Sequence, residues 1–187
     1  MRVIAGRLRG KKIKAPKGLA TRPVLARVRE ALFSILGDIG GLSFLDLYAG
    51  TGAVGLEALS RGAESVMFVE LGSVQCRIIS ENVASTGKDA VIMHTDVMRA
   101  LKKFHKDGKI FDVVFADPPY EQGLSQETIR TVCEGNILSG TGIMAVTARS
   151  SEYLPEKAGF CEMILDRRYG NTRLTLYAPK NNTFPEV

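Results

Sequence analysis

The stretch with the residue types and spacing best suited to binding chemistry is residues 44–55, F-L-D-L-Y-A-G-T-G-A-V-G. A short apolar strand is followed there by a glycine-rich turn and then by a helical pattern. Gly50, Gly52 and Gly55 suit a loop that turns tightly, approaches a ligand closely and packs a helix on a strand, because a Cβ atom would obstruct each of these. The pattern predicts a site for a nucleoside-containing cofactor, and G-T-G-A-V-G also matches the dinucleotide fingerprint.

Two carboxylates near the loop bear on the cofactor that it can hold, and one of them discriminates between the candidates. Asp46 lies before the loop, where its charge would repel a pyrophosphate but suits a cofactor that bears an ammonium and a sulfonium. S-adenosylmethionine carries both groups and no phosphate. Glu70 ends the next apolar run, where a carboxylate can accept hydrogen bonds from the ribose hydroxyls of either cofactor. Asp46 therefore favours S-adenosylmethionine, while the glycine loop with Glu70 favours a bound nucleoside over the alternative of a purely structural strand-to-helix turn.

A second candidate motif, D-P-P-Y at residues 117–120, directly follows the apolar run F-D-V-V-F-A. Ligands of an open parallel sheet bind at the carboxyl ends of its strands, so this tetrapeptide is expected beside the glycine loop. Pro118 and Pro119 stiffen the turn, so that the Asp117 carboxylate and the Pro118 carbonyl can face one amino group as two acceptors. Tyr120 offers a flat face for a base taken out of its stack, an interaction worth about 1–3 kcal/mol. These features predict methyl transfer to an exocyclic amine.

Positive charge is concentrated near the N-terminus. Residues 1–29 hold ten of the 25 Lys and Arg residues and no acidic residue, although the net charge of the whole chain is only +5. This asymmetry indicates that one face of the protein binds a polyanionic partner. The alternative is a basic arm that is simply exposed to solvent. Residues 2–15 alternate apolar and basic positions around two glycines, which predicts an antiparallel ribbon of two short strands. The basic residues expected to project from it are Arg7, Arg9, Lys11, Lys12 and Lys14.

Helix and strand patterns alternate along the rest of the chain. Their spacing predicts helices at 24–36, 54–61, 73–86, 96–103 and 126–134, and further strands at 65–69, 90–94, 111–116 and 142–148. Two last strands, 160–166 and 172–178, flank the turn signal Y-G-N and predict a hairpin. The alternation predicts an α/β fold with a mainly parallel sheet covered by helices on both faces. We divide the chain into an N-terminal basic β-ribbon extension, residues 1–20, and one cofactor-binding domain, residues 21–187.

Other binding chemistries lack support in the sequence. Cys76, Cys133 and Cys161 are odd in number and scattered, and the two histidines are His94 and His105, so neither a disulfide scaffold nor a metal site is predicted. No apolar run approaches the ~18 residues of a membrane span, and the N-terminus lacks a hydrophobic signal core. We therefore expect a cytoplasmic protein that contacts no membrane and needs no metal.

Together these motifs resemble the class I S-adenosylmethionine-dependent methyltransferases, specifically the branch that methylates amino groups and carries D-P-P-Y or N-P-P-Y. The segments R-V-I-A-G-R-L-R-G-K-K-I, V-R-E-A-L-F-S-I-L, D-L-Y-A-G-T-G-A-V-G-L-E-A-L-S-R-G-A and Y-G-N-T further resemble the bacterial 16S rRNA guanine-N2 methyltransferase family over nearly the whole chain. This resemblance implies a Rossmann-like fold with a mainly parallel seven-stranded sheet. It also implies a monomer that methylates one loop guanine, of the guanine 966 type, in the 16S rRNA of the assembled small ribosomal subunit.

The resemblance assigns roles to individual residues. For S-adenosylmethionine it implies Asp46, Gly50 and Gly52 at the methionine end, Thr21 and Arg22 also near the methionine moiety, Glu70 at the ribose, and Asp96 and Val97 at the adenine. For the guanine amine it implies Asp117, Pro118, Pro119 and Tyr120. For RNA phosphate it implies the basic ribbon together with Arg167, Arg168 and Tyr169. Val24 and Leu25 depart from the small polar residues of the family pattern, which argues against a hydroxyl contact from that turn.

In this interpretation Asp117 and the Pro118 carbonyl orient the amine and stabilise the positive charge that develops on nitrogen during direct in-line transfer. A DNA adenine or cytosine methyltransferase would keep this chemistry, but the chain shows no sizeable insertion for reading a duplex. A protein-amide methyltransferase would leave the basic ribbon without a purpose. A nicotinamide-dependent oxidoreductase would explain the glycine loop and Glu70, but neither Asp46 nor D-P-P-Y. A catalytically silent RNA-binding protein would leave both motifs unexplained.

Overall fold

The computed structural model describes residues 1–16, 23–120 and 123–180 of the chain. Within these residues lie five helices and eight strands. The helices are α1 (Pro23–Leu36), α2 (Ala53–Ser60), α3 (Ser73–Ala84), α4 (Val97–Lys106) and α5 (Leu124–Glu134). The strands are β1 (Ser43–Leu47), β2 (Ser65–Glu70), β3 (Val91–His94), β4 (Phe111–Ala116), β5 (Leu138–Arg149), β6 (Lys157–Ala158), β7 (Cys161–Tyr169) and β8 (Thr172–Pro179). The predicted alternation of helix and strand is confirmed.

All eight strands form one sheet in the order β3-β2-β1-β4-β5-β8-β7-β6. The pairs β1–β2, β2–β3, β1–β4 and β4–β5 are parallel, and the remaining pairs, which include the predicted hairpin β7–β8, are antiparallel. The sheet has one strand more than the seven implied by the family resemblance. The additional strand, β6, has only two residues, which is too short to leave an alternating pattern in a sequence.

Helices cover both faces of the sheet, as predicted. Apolar residues of α4 and α5 pack with one face into a core cluster that includes Phe104, Ile129 and Tyr177. Apolar residues of α1, α2 and α3 pack on the other face, in a cluster that includes Phe33 and Phe68. Because parallel strands buried on both faces must be apolar on both sides, β1, β2 and β4 read as nearly continuous apolar runs.

The first sixteen residues, here called the N-terminal arm, pack into the domain. Val3 and Ile13 are buried in the same cluster as the apolar residues of α1 and α2. The expected pair of strands is reduced to one isolated antiparallel bridge between Arg2 and Lys12. Three backbone hydrogen bonds, such as that from the amide of Val3 to the carbonyl oxygen of Lys11, join the two halves of the arm. Other backbone groups of the arm bond to its own turns and to side chains of α2 and α3. The predicted boundary at residue 20 lies outside the described residues.

A buried glutamate of α2 anchors the arm. The Glu57 side chain is fully buried, and its carboxylate accepts hydrogen bonds from the backbone amides of Ile4 at 2.7 Å and Ala5 at 2.9 Å. The Nε atom of Arg61 donates to the same carboxylate at 3.0 Å. A charge removed from water is tolerable only when it is paired and hydrogen-bonded, and Glu57 meets both conditions. The arm is therefore held by charge-assisted hydrogen bonds as well as by apolar packing.

The next turn of the arm lies against the end of α2. The amide of Arg7 donates to the carbonyl oxygen of Ser60 at 2.8 Å, and the amide of Leu8 donates to its Oγ atom at 2.9 Å. Gly6 adopts φ +79° there, and a Cβ atom on it would lie 2.1 Å from that carbonyl oxygen. Only glycine allows both this backbone conformation and this approach.

We predict that Glu57→Ala lowers the free energy of unfolding by about 3 kcal/mol, because it leaves two amides and a guanidinium without their buried acceptor. Urea unfolding measures the change. Glu64→Ala, which removes an exposed glutamate, is the matched control and should change stability by less than about 0.5 kcal/mol. Equal effects of the two substitutions would contradict the anchoring role of Glu57.

Candidate active site

The two sequence motifs meet at one edge of the sheet. Strands β1 and β4 are parallel neighbours with Leu47 opposite Ala116, so the glycine loop and D-P-P-Y leave the sheet side by side. The amide of Asp117 donates to the carbonyl oxygen of Leu47 at 3.4 Å. Asp46 and Asp117 consequently line the same cavity.

Two adjoining cavities occupy this edge. The smaller cavity, of about 550 Å³, is lined by the glycine loop, Asp46, Thr147, residues of the N-terminal arm and residues of α1. The larger cavity, of about 810 Å³, is lined by Leu71, Gly72, Asp96, Val97, residues 117–120 and Leu124. Tyr48, Glu70 and Asp117 line both. Their combined volume is ample for a nucleoside cofactor and a second ligand that meet at these three residues.

Asp46 is a buried residue that lines the smaller cavity. Its side chain is only 1% exposed, and its Oδ2 atom accepts a hydrogen bond from the amide of Gly55 at 2.9 Å. Burial raises the pKa of Asp46 well above its usual value, and the nearby charges of Asp117 and Glu70 raise it further, against the lowering effect of the Gly55 amide. An arrangement of carboxylates that repel one another in low dielectric favours a cationic ligand.

Each glycine of the loop is needed at its position for a different structural reason. Gly50 and Gly52 adopt φ +57° and +75°, and Gly52 is the residue that precedes α2. Gly55 has no such backbone requirement, but a Cβ atom on it would lie 2.2 Å from the ring of Phe68. The loop thus turns tightly at its first two glycines and packs α2 on β2 at the third, as the sequence predicted.

Glu70 joins the glycine loop to the next turn. Its Oε2 atom accepts from the amide of Gly50 at 2.8 Å, and its Oε1 atom accepts from the amide of Gly72 at 2.7 Å. Each carboxylate oxygen can accept more than one hydrogen bond, so both oxygens can also accept from a diol in the cavity.

Asp96 and Val97 lie at the start of α4, on the wall of the larger cavity. The Oδ1 atom of Asp96 accepts from the amide of Arg99 at 3.1 Å, so this carboxylate caps the helix. Its second oxygen can accept from an amino group, while the apolar side chain of Val97 is almost fully buried beside it.

The D-P-P-Y turn places three different groups on the cavity wall. The Asp117 carboxylate accepts a hydrogen bond from the Oγ1 atom of Thr147, a buried residue of β5. Pro118 is buried and Pro119 is exposed. The hydroxyl group of Tyr120 lies 3.3 Å from the Oγ1 atom of Thr172, the first residue of β8.

Tyr48 is a site residue that the sequence interpretation did not single out. It lines both cavities, adopts φ +57°, and its hydroxyl group is 3.0 Å from the Oγ1 atom of Thr128. A positive φ is strained for an aromatic residue, and such strain clusters at functional sites. Burial raises the pKa of its phenol. In the sequence, the feature that could have identified Tyr48 is its position between the strand and the first glycine of the loop.

The N-terminal arm supplies part of the cavity wall, through Met1, Arg2, Ala15 and Pro16. Asn82 of α3 joins the arm to the glycine loop, because its Nδ2 atom donates to the carbonyl oxygens of Lys14 and Thr51, each at 3.1 Å. Its Oδ1 atom accepts from the amide of Lys14 at 2.8 Å. The site residues Thr21 and Arg22 lie outside the described residues.

The residues predicted to bind RNA divide into two groups. Exposed basic side chains are those of Arg7, Arg9, Lys12, Arg167 and Arg168. Lys14 is exposed as well but forms an ion pair with Glu81 at 2.8 Å, and the half-buried Lys11 donates to the carbonyl oxygen of Ser85. Tyr169 is half-buried against the core. The ammonium groups of these two lysines therefore already have partners within the protein.

Two further observations bear on the class of site. Among residues 1–16, 23–120 and 123–180, no three His, Cys, Asp or Glu residues cluster closely enough to hold a metal ion. None of the described helices is long and apolar enough to cross a membrane.

Comparison with known proteins gives a consistent result. The family profile described as "Conserved hypothetical protein 95" matches residues 1–178. The chain is 31% identical over 179 residues to "Ribosomal RNA small subunit methyltransferase D" of Escherichia coli K12, covering 95% of this chain and 89% of that protein. Its fold matches a hypothetical protein of Thermus thermophilus with a TM-score of 0.81 and 32% identity, over 94% and 98% of the two chains.

A more distant structure shares the fold alone. It is a Thermus thermophilus 16S rRNA N2 G1207 methyltransferase in complex with AdoMet and guanosine, with a TM-score of 0.67 and 22% identity. The match covers 88% of this chain and 45% of that one. The Rossmann-like methyltransferase fold predicted from the sequence is confirmed.

We predict that Asp46→Asn gains stability relative to the wild type as the pH rises from about 4 to about 8. The folded-state pKa of Asp46 lies above its unfolded-state value, so its contribution to stability is fully present below the unfolded pKa and is lost as pH rises through the folded pKa. The asparagine variant lacks that loss and keeps an acceptor for the Gly55 amide. Urea unfolding across this pH range measures the difference. Asp89→Asn, at an exposed position, is the control, and identical pH profiles of the two variants would contradict the burial effect.

Proposed function

This chain belongs to the family described as conserved hypothetical protein 95, and on that premise we propose that it is an S-adenosylmethionine-dependent methyltransferase that methylates N2 of a guanine in 16S rRNA. The single observation that carries the proposal is the convergence of Asp46 and Asp117 on one cavity. The first carboxylate suits a cationic methyl donor, and the second begins a rigid turn suited to an amine acceptor.

The smaller cavity and its junction with the larger one fit the methyl donor. The glycine loop and the buried Asp46 carboxylate receive the methionine end, where the donor carries its ammonium and sulfonium. Glu70 accepts from the ribose hydroxyls while it still holds the amides of Gly50 and Gly72. Asp96 and Val97 receive the adenine in the larger cavity. When bound, the donor supplies an electrophilic methyl group on a positively charged sulfur.

The D-P-P-Y turn receives the methyl acceptor. The nitrogen lone pair of a guanine N2 amine is delocalised into the ring, so the amine must be oriented to react. The Asp117 carboxylate and the Pro118 carbonyl accept its two hydrogens and stabilise the positive charge that develops on nitrogen. Tyr120 stacks on the extruded base. The nitrogen would take the methyl group as the S–C bond of the donor broke, and Asp117 or water would accept the proton that the nitrogen then loses.

The exposed cations suit a ribosomal substrate. Arg7, Arg9 and Lys12 are exposed on the arm, and other residues of the arm form part of the wall of the smaller cavity. Arg167 and Arg168 lie on β7, whose hairpin partner β8 begins at Thr172 beside Tyr120. RNA phosphates held by both groups would bring a loop base to the cavity. We propose that the chain acts as a monomer on rRNA within the small ribosomal subunit.

We predict that Asp117→Ala lowers the methyl transfer rate at least about 100-fold, because it removes an acceptor that acts mainly in the transition state. The dissociation constant of S-adenosylhomocysteine, measured by calorimetry, should change less than about threefold. Asp89→Ala is the matched control at an exposed position. Tritium transfer from labelled donor to small ribosomal subunits, naked 16S rRNA and duplex DNA measures the rate, and transfer to DNA alone would reject the rRNA assignment. Binding of NAD in place of S-adenosylhomocysteine would reject the cofactor.

We predict that the combined substitution of Arg7, Arg9 and Lys12 by Ala weakens rRNA binding and reduces the slope of log affinity against log salt by about 2–3, since each of three lost phosphate contacts removes roughly 0.7–0.9. In the matched control, Ala replaces Lys102, Lys106 and Lys109. This removes the same charge from the second half of α4 and from the turn before β4, at the end of that strand opposite to D-P-P-Y. A change of slope in the control variant alone would place the RNA on that other surface.

A further inference from the structure

The geometry points to Thr147 and Arg149 of β5 as positioning residues for D-P-P-Y, with Thr147 fixing the Asp117 carboxylate and Arg149 fixing the Tyr120 ring. This inference rests on the proposed function, because it concerns how the methyl acceptor is held. It adds two residues that neither the motif nor the glycine loop contains.

The first observation is how far β5 extends. The last paired residues of β4 and β5 are Ala116 and Val146, whereas β5 continues to Arg149. Its last three residues therefore run beside the start of D-P-P-Y, beyond the end of the β4 ladder. Over the same residues β5 remains paired to β8, with Arg149 opposite Thr172. The turn is thus flanked by a strand that is itself held on its other side.

Thr147 acts on the carboxylate. It is 1% exposed, lines the smaller cavity, and donates a hydrogen bond through Oγ1 to Oδ1 of Asp117. A carboxylate on a short side chain otherwise rotates about its terminal bond with little hindrance. Fixing one oxygen through Thr147 restricts this rotation and so sets the orientation of a carboxylate whose residue lines both cavities, beside Pro118 in the larger one.

Arg149 acts on the ring. Residues two apart on a strand project to the same face, so Arg149 lies on the same side of β5 as Thr147. Its guanidinium carbon is 6.0 Å from the centroid of the Tyr120 ring, and the hydroxyl of that ring is 3.3 Å from Oγ1 of Thr172. A cation over one face and a polar contact at the edge limit the orientations of the ring.

Thr147→Val tests the first half, because it removes the hydroxyl and keeps the branched shape. We expect kcat to fall at least about tenfold, equivalent to about 1.4 kcal/mol, while the dissociation constant of S-adenosylhomocysteine changes less than about twofold. Thr147→Ser restores the hydroxyl and should recover most of kcat. Unchanged kcat in Thr147→Val, or no recovery with Ser, would overturn the role of Thr147.

Thr175→Val is the matched control for folding effects. Thr175 is also a buried strand threonine that donates to an aspartate, in its case to Oδ1 of Asp166 at 2.9 Å. It pairs with Val146, whereas Thr147 pairs with Leu174, so the two threonines project to opposite faces of the sheet. The control should lose stability on urea unfolding and keep its kcat. An equal loss of kcat in both variants would show that the effect is structural.

Arg149→Gln tests the second half. We expect KM for the rRNA substrate to rise at least about fivefold, with Arg130→Gln, an exposed arginine of α5, as the control that changes neither constant. If Arg149 acts through the ring, its substitution should have a much smaller effect in a Tyr120→Ala background. Full additivity of the two substitutions would overturn this role.

The outcome separates this inference from the proposed function. If Asp117→Ala abolishes transfer while Thr147→Val and Arg149→Gln leave it unchanged, only the positioning roles fail. If Asp117→Ala retains transfer to rRNA, the assignment of D-P-P-Y itself fails.

Discussion

The parallel pairing of β1 with β4 is the constraint on which the site depends. It places Leu47 opposite Ala116, and both chains leave the sheet at that level. A glycine loop and a proline-stiffened turn, separated by about sixty residues of sequence, become neighbours as a result. A cavity forms at this end of the parallel sheet because the loops that follow neighbouring strands diverge from one another. The site is therefore a consequence of sheet order as much as of either motif.

Negative and positive side chains occupy different parts of the protein. Three carboxylates, those of Asp46, Glu70 and Asp117, line the interior of the cleft, and burial holds the pKa of the first well above normal. Cations instead project from the N-terminal arm and from β7. An anionic interior favours a small cationic ligand, while a cationic exterior favours a polyanion. Because the two charge signs occupy different regions, the acidic interior is kept away from a polyanion at the cationic exterior.

The N-terminal arm links these two regions. Glu57 holds its first turn, and Asn82 ties its end to the glycine loop through the carbonyl of Thr51. Some of its residues form the wall of the smaller cavity and others are exposed to solvent. One short segment therefore contributes to both surfaces, and the buried hydrogen bonds that hold it are polar interactions that are costly to leave unmade.

The sequence by itself determined the order of helices and strands, the glycine loop and the rigid D-P-P-Y turn, because each depends on local periodicity or on the backbone limits of glycine and proline. The tertiary structure decided what no local pattern records: that the expected two-stranded ribbon is a docked arm with one bridge, that Lys11 and Lys14 contact α3 and the turn after it, and that Thr147 reaches Asp117. It also added β6, which is too short for a periodic signal. These features arise from contacts between residues far apart in the chain. Such contacts depend on which strands are neighbours and on how side chains pack, and the spacing of residues in the sequence specifies neither.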